Sequence, residues 1–333
     1  MKKLVVIMLM LVLLVSVVGC EKAVETPAEA PQDGSQEAEG DEVYRVAYIA
    51  RAQADSFAAW LANAVIEEAG EYSDIEVDVF DGQASDDIEN SLIENAITNK
   101  YDAIIIQPNN GEAQRPYAEK AVAAGIVTIT TNSRISGIEG ASSVDADPYA
   151  QAAVNAVAAI EQVPENANVV VLLGPPGNFH ADARRESWQK EFFDKRPDVT
   201  IVGEEIANWN KDEAMAYMET WVQANDQIDA IIAMNDNMCA GALEVVKGDD
   251  KYADILAYGV DGTAEACLLI EEGRMTSTCL QSAYDLADLI LETAHKLLTG
   301  EETQIDTDIG NPLVTSENVQ DYIDMHKKAG AIN

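Results

Sequence analysis

The chain predicts an α/β fold of two similar lobes, each a parallel sheet flanked by helices. Three observations carry that expectation. From residue 43 onward, short apolar runs alternate with stretches of helix length, the mark of βαβ units. The series begins again near residue 148. A segment of the first series, Tyr101-Asp-Ala-Ile-Ile-Ile-Gln-Pro-Asn-Asn-Gly-Glu-Ala113, is echoed in the second by Ile228-Asp-Ala-Ile-Ile-Ala-Met-Asn-Asp-Asn-Met-Cys-Ala240. Each is an Asp-Ala-Ile-Ile strand that ends in Asn-rich polar residues before a helix. Two such lobes with facing strand ends enclose a cleft suited to a small ligand.

The chain starts with a targeting pattern. Lys2 and Lys3 precede an almost unbroken apolar run over 4–18, which closes at Val17-Val-Gly-Cys20. About fifteen apolar residues fall short of the ~20 needed to span a bilayer. The pattern resembles a bacterial lipoprotein signal. That resemblance implies cleavage before Cys20, which then bears the lipid, although Val18 replaces the usual small residue. Residues 21–42 carry Pro, Gly, Ser and Glu and no aromatic, so they read as a flexible acidic tether.

In the first lobe, 43–50 reads as a strand because its apolar run is bounded by polar residues. The amphipathic stretch 56–70 reads as a helix. Strand 75–80, helix 85–100, strand 103–107, helix 111–124 and strand 126–130 follow, then a shorter strand over 141–144. The second series runs helix 148–162, strand 168–173, helix 181–195, strand 199–206, helix 211–224, strand 229–233 and helix 238–246. It ends with strand 255–259, helix 263–272, strand 275–280 and a long helix over 283–298. Residues 43–146 with 282–308 are expected to form the N-terminal lobe, and 147–281 with 309–333 the C-terminal lobe. Three strands would then cross between them, near Ala146, Ser282 and Ile309.

Composition narrows the function. The net charge is −38 over 333 residues. Eight acids and three lysines give −5 within 1–42, which leaves −33 to the other 291 residues. So acidic a folded region is a solvated surface that argues against nucleic acid as partner. Cys239, Cys267 and Cys279 form no CxxC motif, and as an odd set they cannot all pair. A Cys267–Cys279 bridge stays open. His180, His295 and His326 are scattered, so no metal cluster and no cofactor is expected.

The runs 229–243 and 258–263 each stop at a polar cluster and restart as a helix. They present Asn235, Asp236 or Asp261 at strand ends, where open parallel sheets bind ligands. With no Ser–His or Cys–His pair beside them, these amides and carboxylates suit hydroxyl recognition better than covalent chemistry. The loop Gly174-Pro-Pro-Gly-Asn178 lacks a following Gly-Lys-Ser/Thr and reads as a turn at the cleft edge, not a phosphate loop.

Several segments together resemble the periplasmic sugar-binding proteins of the ribose-binding type, the type I binding proteins. They are Val46-Ala-Tyr-Ile-Ala50 with Asp55-Ser-Phe57, Ile129-Thr-Thr-Asn132, Ala183-Arg-Arg-Glu-Ser-Trp188, Asn235-Asp-Asn-Met-Cys-Ala-Gly-Ala-Leu243, Gly259-Val-Asp-Gly-Thr263 and Thr278-Cys-Leu-Gln281. The resemblance implies a hinged, monomeric two-lobe protein that closes on a sugar or polyol and delivers it to an ABC importer permease. The implied ligand-binding positions are Asp55, Phe57, Asn132, Arg184, Trp209, Asn235, Asp261 and Gln281. Phe57 and Trp209 offer faces to sugar C–H surfaces. The carboxylates and amides accept or share hydroxyl hydrogens, and Arg184 offers a fork of donors. Each has a blander role open to it: Phe57 in the core, Arg184 in a surface ion pair, Asn235 or Asp261 as a helix cap. Two departures stand out. The family's Asp–Arg pair after the fourth strand is here Asn132 and Ser133, with Arg134 one residue late. The second aromatic after Phe57 is Ala58, with Trp60 nearby. They predict a first lobe that is less charged and less aromatic, which disfavours ribose and leaves a polyol, an inositol or a different sugar open.

Two other classes share some of these features. An extracytoplasmic hydrolase could use Asp55 and Asp261 as a carboxylate pair. The ligand core of a transcriptional repressor has this fold, but would need a helix-turn-helix domain and a basic face instead of an export signal and an acidic surface.

Overall fold

Two six-stranded sheets organise residues 43–332, the part of the chain that the computed structural model describes. The expected signal with Cys20 and the tether over 21–42 lie outside the described residues. The first sheet takes β1 (Tyr44–Ala50), β2 (Ile75–Asp81), β3 (Ala103–Ile106), β4 (Val127–Thr131) and β5 (Ala141–Ala146). The second takes β6 (Asn168–Leu173), β7 (Thr200–Ile206), β8 (Ala230–Ala233), β9 (Leu256–Asp261) and β10 (Ser277–Leu280). Two late strands complete them: β11 (Asp306–Ile309) joins the first sheet and β12 (Leu313–Thr315) the second. The orders are β2-β1-β3-β4-β5-β11 and β7-β6-β8-β9-β10-β12. The echoed segments supply β3 and β8, which hold the same place in each order. In both sheets the order reverses at that point, which opens a crevice at the strand ends.

Strand alternation explains the layers. In β1, Val46, Tyr48 and Ala50 face one apolar cluster, and Ala47 and Ile49 the other. The first cluster is covered by α1 (Ser56–Ala69), through Phe57, Leu61 and Val65. The second is covered by α2 (Asp86–Thr98) and α3 (Gly111–Ala123), through Ile93, Ala118 and Ala121. The second sheet is covered by α4 (Pro148–Gln162), α5 (Phe179–Trp188), α6 (Lys211–Ala224), α7 (Asp236–Val246) and α8 (Ala264–Glu271). Helix α9 (Ala283–Leu298) follows β10 yet buries Leu286, Ile290 and Leu291 in the first sheet's cluster beside α1. The backbone therefore passes between sheets after β5, after β10 and between β11 and β12.

The structure departs from the sequence reading in a few places, each with a local cause. Helix α5 starts at Phe179, two residues earlier than expected, because Asn178 caps it by accepting from His180 N and Ala181 N. Beyond Trp188 it changes to a π-helical turn over Gln189–Phe193. Helix α7 starts at Asp236, because Asn235 is its cap. The second sheet is not wholly parallel: only Gly310-Asn311-Pro312 separate β11 from β12, too few for a helical crossover, and β12 runs antiparallel to β10. Neither late strand was anticipated, because Asp-Thr-Asp-Ile is an edge strand with little apolar content and β12 has three residues. The last helix, α10 (Val319–Lys328), was not anticipated, although the residues it buries, Val319, Ile323 and His326, are spaced by four and three as on a helix face. Cys239, Cys267 and Cys279 are buried and free, so Cys267 and Cys279 are not bridged. Among the described residues no helix is long and apolar enough to cross a membrane.

Candidate functional site

The strand ends of the two sheets face each other across a cavity of about 310 Å³. Asp55, Phe57 and Asn132 line it from the first sheet. Arg184, Trp209, Asn235, Asp261 and Gln281 line it from the second. All eight positions singled out in the sequence thus meet in one place. Arg51, Asn178 and His180 also line it and were missed. His180 had a usable signal: it precedes Arg184 by four residues and so shares its helix face. Arg51 lies between the segments Val46–Ala50 and Asp55–Phe57 but belongs to neither, and Asn178 had been read only as part of a turn.

The first wall is built on helix capping. Asp55 Oδ1 accepts from Ala58 N at 2.8 Å and so starts α1. Its other oxygen, Oδ2, lies 3.2 Å from Arg51 Nη2 as an ion pair, without hydrogen-bond geometry. Gln107, at the end of β3, ties its neighbours together. Its Oε1 accepts from Arg51 N at 3.0 Å, and its Nε2 donates to Asn132 Oδ1 at 2.7 Å. Two expectations are corrected here. The first lobe is not short of charge, because Arg51 and Asp55 supply an arginine–carboxylate pair from the β1–α1 loop. Arg134 turns away to Asp145 and Asp308. Nor does Trp60 replace the second aromatic of the cavity, for it packs edge-on against Phe57 and Tyr284 and against His326 of α10.

The second wall is a buried polar network. Arg184 donates through Nε and Nη2 to Gln151 Oε1 at 3.2 and 2.8 Å, and through Nη1 to Met234 O at 2.8 Å. Gln281 Oε1 accepts from Gln151 Nε2 at 2.8 Å, while Gln281 Nε2 has no partner. Asn235 Oδ1 is committed to the α7 cap, at 3.0 Å from Met238 N, which leaves its amide hydrogens for recognition. Asp236 is fully engaged by Thr278 Oγ1 at 2.6 Å and Thr263 N at 2.9 Å, and so holds the strand ends in place. Thr263, and not Asp261, caps α8. Asp261 is buried with φ at 126°, a costly backbone for a residue with a Cβ and one often kept at binding sites. Its Oδ1 is 3.9 Å from Arg184 Nη2, and its Oδ2 has no hydrogen-bond partner. Burial raises its carboxyl well above the usual range, and Arg184 only partly opposes this.

Trp209 has φ at 62° and its carbonyl accepts from Asn237 Nδ2 at 2.7 Å, which ties its loop to α7. Its ring lies directly on Gly174, where a Cβ would come within 2.2 Å of the indole. Close approach of this ring, not phosphate binding, accounts for that glycine.

The two walls touch at the cavity rim. His180 Nε2 is 2.9 Å from Asp145 Oδ1 of β5, and its Nδ1 is 3.2 Å from Arg184 Nη2. Arginine only donates, so Nδ1 accepts and the ring proton is on Nε2, facing Asp145. Burial holds His180 below the usual histidine range, against the opposing pull of Asp145. Burial alone would raise the Asp145 carboxyl, but His180 and Arg134 outweigh it and leave it lowered. Nearby, Phe179 N donates to Ser133 Oγ at 3.2 Å and Asn178 Nδ2 to Asn109 O at 3.3 Å. The described residues hold no cluster of His, Cys, Asp or Glu that could bind a metal ion.

A pair of doubly wound sheets closed over a polar cavity with aromatic sides defines a two-lobe solute-binding protein. Residues 46–302 match the periplasmic binding protein domain, and the chain belongs to that family. A xylitol-binding protein of Mycolicibacterium smegmatis is 27% identical over 230 residues, or 69% of this chain. The chain spans 65% of that protein's length, just under two thirds. A D-apiose import binding protein of Actinobacillus succinogenes is 29% identical over 220 residues, covering 64% of this chain and 70% of its own. An ABC transporter solute binding protein of Bacillus halodurans C-125, solved with bound myo-inositol, superposes with a TM-score of 0.79 at 26% identity. That match covers 86% of this chain and 99% of the other.

Proposed function

We propose that this protein captures a neutral monosaccharide or polyol between its lobes, outside the cytoplasm, and delivers it to an ABC importer permease. One observation carries the reading. The buried cavity offers unpartnered acceptors (Asp55 Oδ2, Asp261 Oδ2) and an unpartnered donor (Gln281 Nε2), flanked by Phe57 and Trp209. A hydroxyl both donates and accepts, so a small polyhydroxylated ring or chain satisfies all three groups at once. With Asp261 ionised, as hydroxyl donors from a ligand favour, the two arginines and two aspartates of the cavity wall balance in charge, which suits a neutral ligand. The xylitol- and apiose-binding relatives and the inositol-bound structure support the same ligand class. Cys20 would carry a lipid that anchors the protein to the membrane, with 21–42 as its tether.

The lobes are expected to open and close about the backbone crossings near Ala146, Ser282 and Ile309. Small-angle scattering of the full chain tests this: a sugar that titrates the protein should reduce its radius of gyration, and an unchanged profile at saturation would contradict closure. The mass of the membrane-extracted wild type should include the lipid, and that of Cys20→Ala should not.

Affinity should also depend on pH. A histidine whose buried pKa lies below its exposed value of ~6.5 favours the clasped state at higher pH, and that preference is lost as the pH falls below about 6.5. Hydroxyls that donate to Asp261 favour its ionised form, so binding releases a proton there as well. Asp145 is held below the usual carboxylate range by His180 and Arg134, so it adds nothing to this dependence. The two contributions have the same sign: affinity should fall between pH 7 and pH 5, with a shallower slope in His180→Gln. A flat wild-type profile would contradict this.

A further inference from the structure

Trp60 joins the two lobes at a place that the cavity does not include. It is carried by α1 of the first sheet, yet it packs against the apolar clusters of both sheets, the one side chain among the described residues to do so. In the second lobe it meets His326 of α10, with ring centroids 5.0 Å apart and the planes tilted by 54°. His326 is 1% exposed, and its Nε2 lies 2.9 Å from Gly262 O. A carbonyl only accepts, so Nε2 carries the proton and donates it. Burial holds the imidazole below the usual histidine range, which keeps it neutral at pH 7, and its Nδ1 has no hydrogen-bond partner.

Gly262 follows Asp261, whose φ of 126° persists only where the surroundings impose it. Neighbouring elements of the second sheet hold part of this turn. Asp261 O accepts from Gln281 N at 3.0 Å, Gly262 N donates to Thr278 Oγ1 at 3.2 Å, and Thr263 N donates to Asp236 Oδ2 at 2.9 Å. Leu280 of β10 crowds the turn as well, since a Cβ on Gly262 would lie 2.6 Å from its Cδ1. The Gly262 carbonyl is held from elsewhere. His326 reaches it from the last helix, 64 residues further along the chain, while Cys267 Sγ approaches only to 3.7 Å. Helix α10 is itself fixed, because Val319 and Ile323 are buried in the second sheet's cluster.

We propose that His326 is a positioning residue for Asp261, and that Trp60 couples this positioning to closure of the lobes. The Nε2–H fixes the Gly262 carbonyl, and so sets the turn that aims the Asp261 carboxylate into the cavity. With the lobes apart, α1 carries Trp60 off the imidazole, and water competes for the Gly262 carbonyl. With the lobes together, the indole excludes that water and the hydrogen bond strengthens in its drier surroundings. Neither ring lines the cavity, so both act through Asp261 and not on the ligand. The proposal rests on the reading that the cleft binds a polyhydroxylated solute.

Titration calorimetry of the full chain with xylitol and with myo-inositol tests this through a double-mutant cycle. His326→Phe keeps a ring against Trp60 but removes the donor, and should weaken binding about 10-fold, the affinity equivalent of one hydrogen bond. His326→Gln restores a donor and should recover most of that loss. Asp261→Asn keeps an acceptor but alters the group being positioned, so in that background His326→Phe should weaken binding by less than about 2-fold. Trp60→Leu uncovers the donor without removing it, and should weaken wild-type binding about 3-fold, a partial loss of the same hydrogen bond. If His326→Phe fails to fold, Trp60→Leu with and without Asp261→Asn completes the cycle, and its loss should vanish in the Asp261→Asn background. A loss of equal size in both backgrounds, or His326→Gln binding as weakly as His326→Phe, overturns the proposal, because a role in stability alone does not pass through Asp261. A wild type that binds neither xylitol nor myo-inositol overturns it together with the reading beneath it, whereas wild-type binding with an indifferent His326→Phe overturns the proposal alone.

Discussion

Replacing Asp261 by alanine is expected to weaken sugar or polyol binding about 100- to 10,000-fold while leaving the fold intact. The magnitude follows from two hydrogen bonds to a buried carboxylate, each contributing roughly 1.5–3 kcal/mol, with every 1.4 kcal/mol a factor of ten in affinity. The intact fold follows from what Asp261 lacks. Its Oδ2 has no hydrogen-bond partner and its Oδ1 is 3.9 Å from the nearest guanidinium nitrogen, so the unliganded protein loses little with it. Its removal takes away a buried carboxyl group with an oxygen left without a hydrogen-bond partner, which is costly to desolvate. The melting temperature of the unliganded variant should therefore equal or exceed that of the wild type. Asp261→Gly, which also relieves the backbone at φ 126°, should be the more stable of the two and equally unable to bind. A calorimetric titration unchanged from wild type would remove Asp261 from the site.

The second large effect is expected at Trp209. Its indole is buried between Gly174 and the Arg184 guanidinium, whose carbon is 5.7 Å from the ring. Trp209→Ala should cost about 3–5 kcal/mol of stability, the usual loss for a buried tryptophan. It should also weaken binding about 10-fold, because the ligand loses an aromatic face. Trp209→Phe separates the two roles: it keeps a face and should recover most of the affinity, but fills less of the space above Gly174 and should recover less of the stability. If Trp209→Ala melts earlier yet binds as the wild type does, the ring is core and not site.

Much of the fold was legible because the strands that carry it are apolar runs separated by helices of ordinary length. The Asp-Ala-Ile-Ile echo proved to mark the same position in both sheets, β3 and β8. The edges were not legible. Strand β11 is two acids, a threonine and one isoleucine, and β12 is too short for any periodicity. Of the cavity wall, the residues at strand ends were visible since a polar residue after an apolar run is an abrupt change. The distant pairings were not. Arg51 takes up Asp55 only four residues away, a pairing that local spacing allowed, whereas nothing local reveals that Arg134 is drawn off by Asp145 and by Asp308, the latter 174 residues away. The same holds for His180, whose partner Asp145 belongs to the other sheet. Asn235 shows the reverse case: the capping role weighed in the sequence is present, and it leaves only part of that side chain for a ligand.

The central claim is that the cleft binds a small neutral polyhydroxylated molecule and releases it unchanged. A calorimetric titration of the full chain against pentoses, hexoses, inositols and polyols, followed by chromatography of the recovered ligand, tests it most directly. The account predicts one-to-one binding of at least one of these molecules, recovered intact, with the melting temperature raised at saturation. Flat titrations across the whole set, or a ligand recovered as a different product, would contradict it.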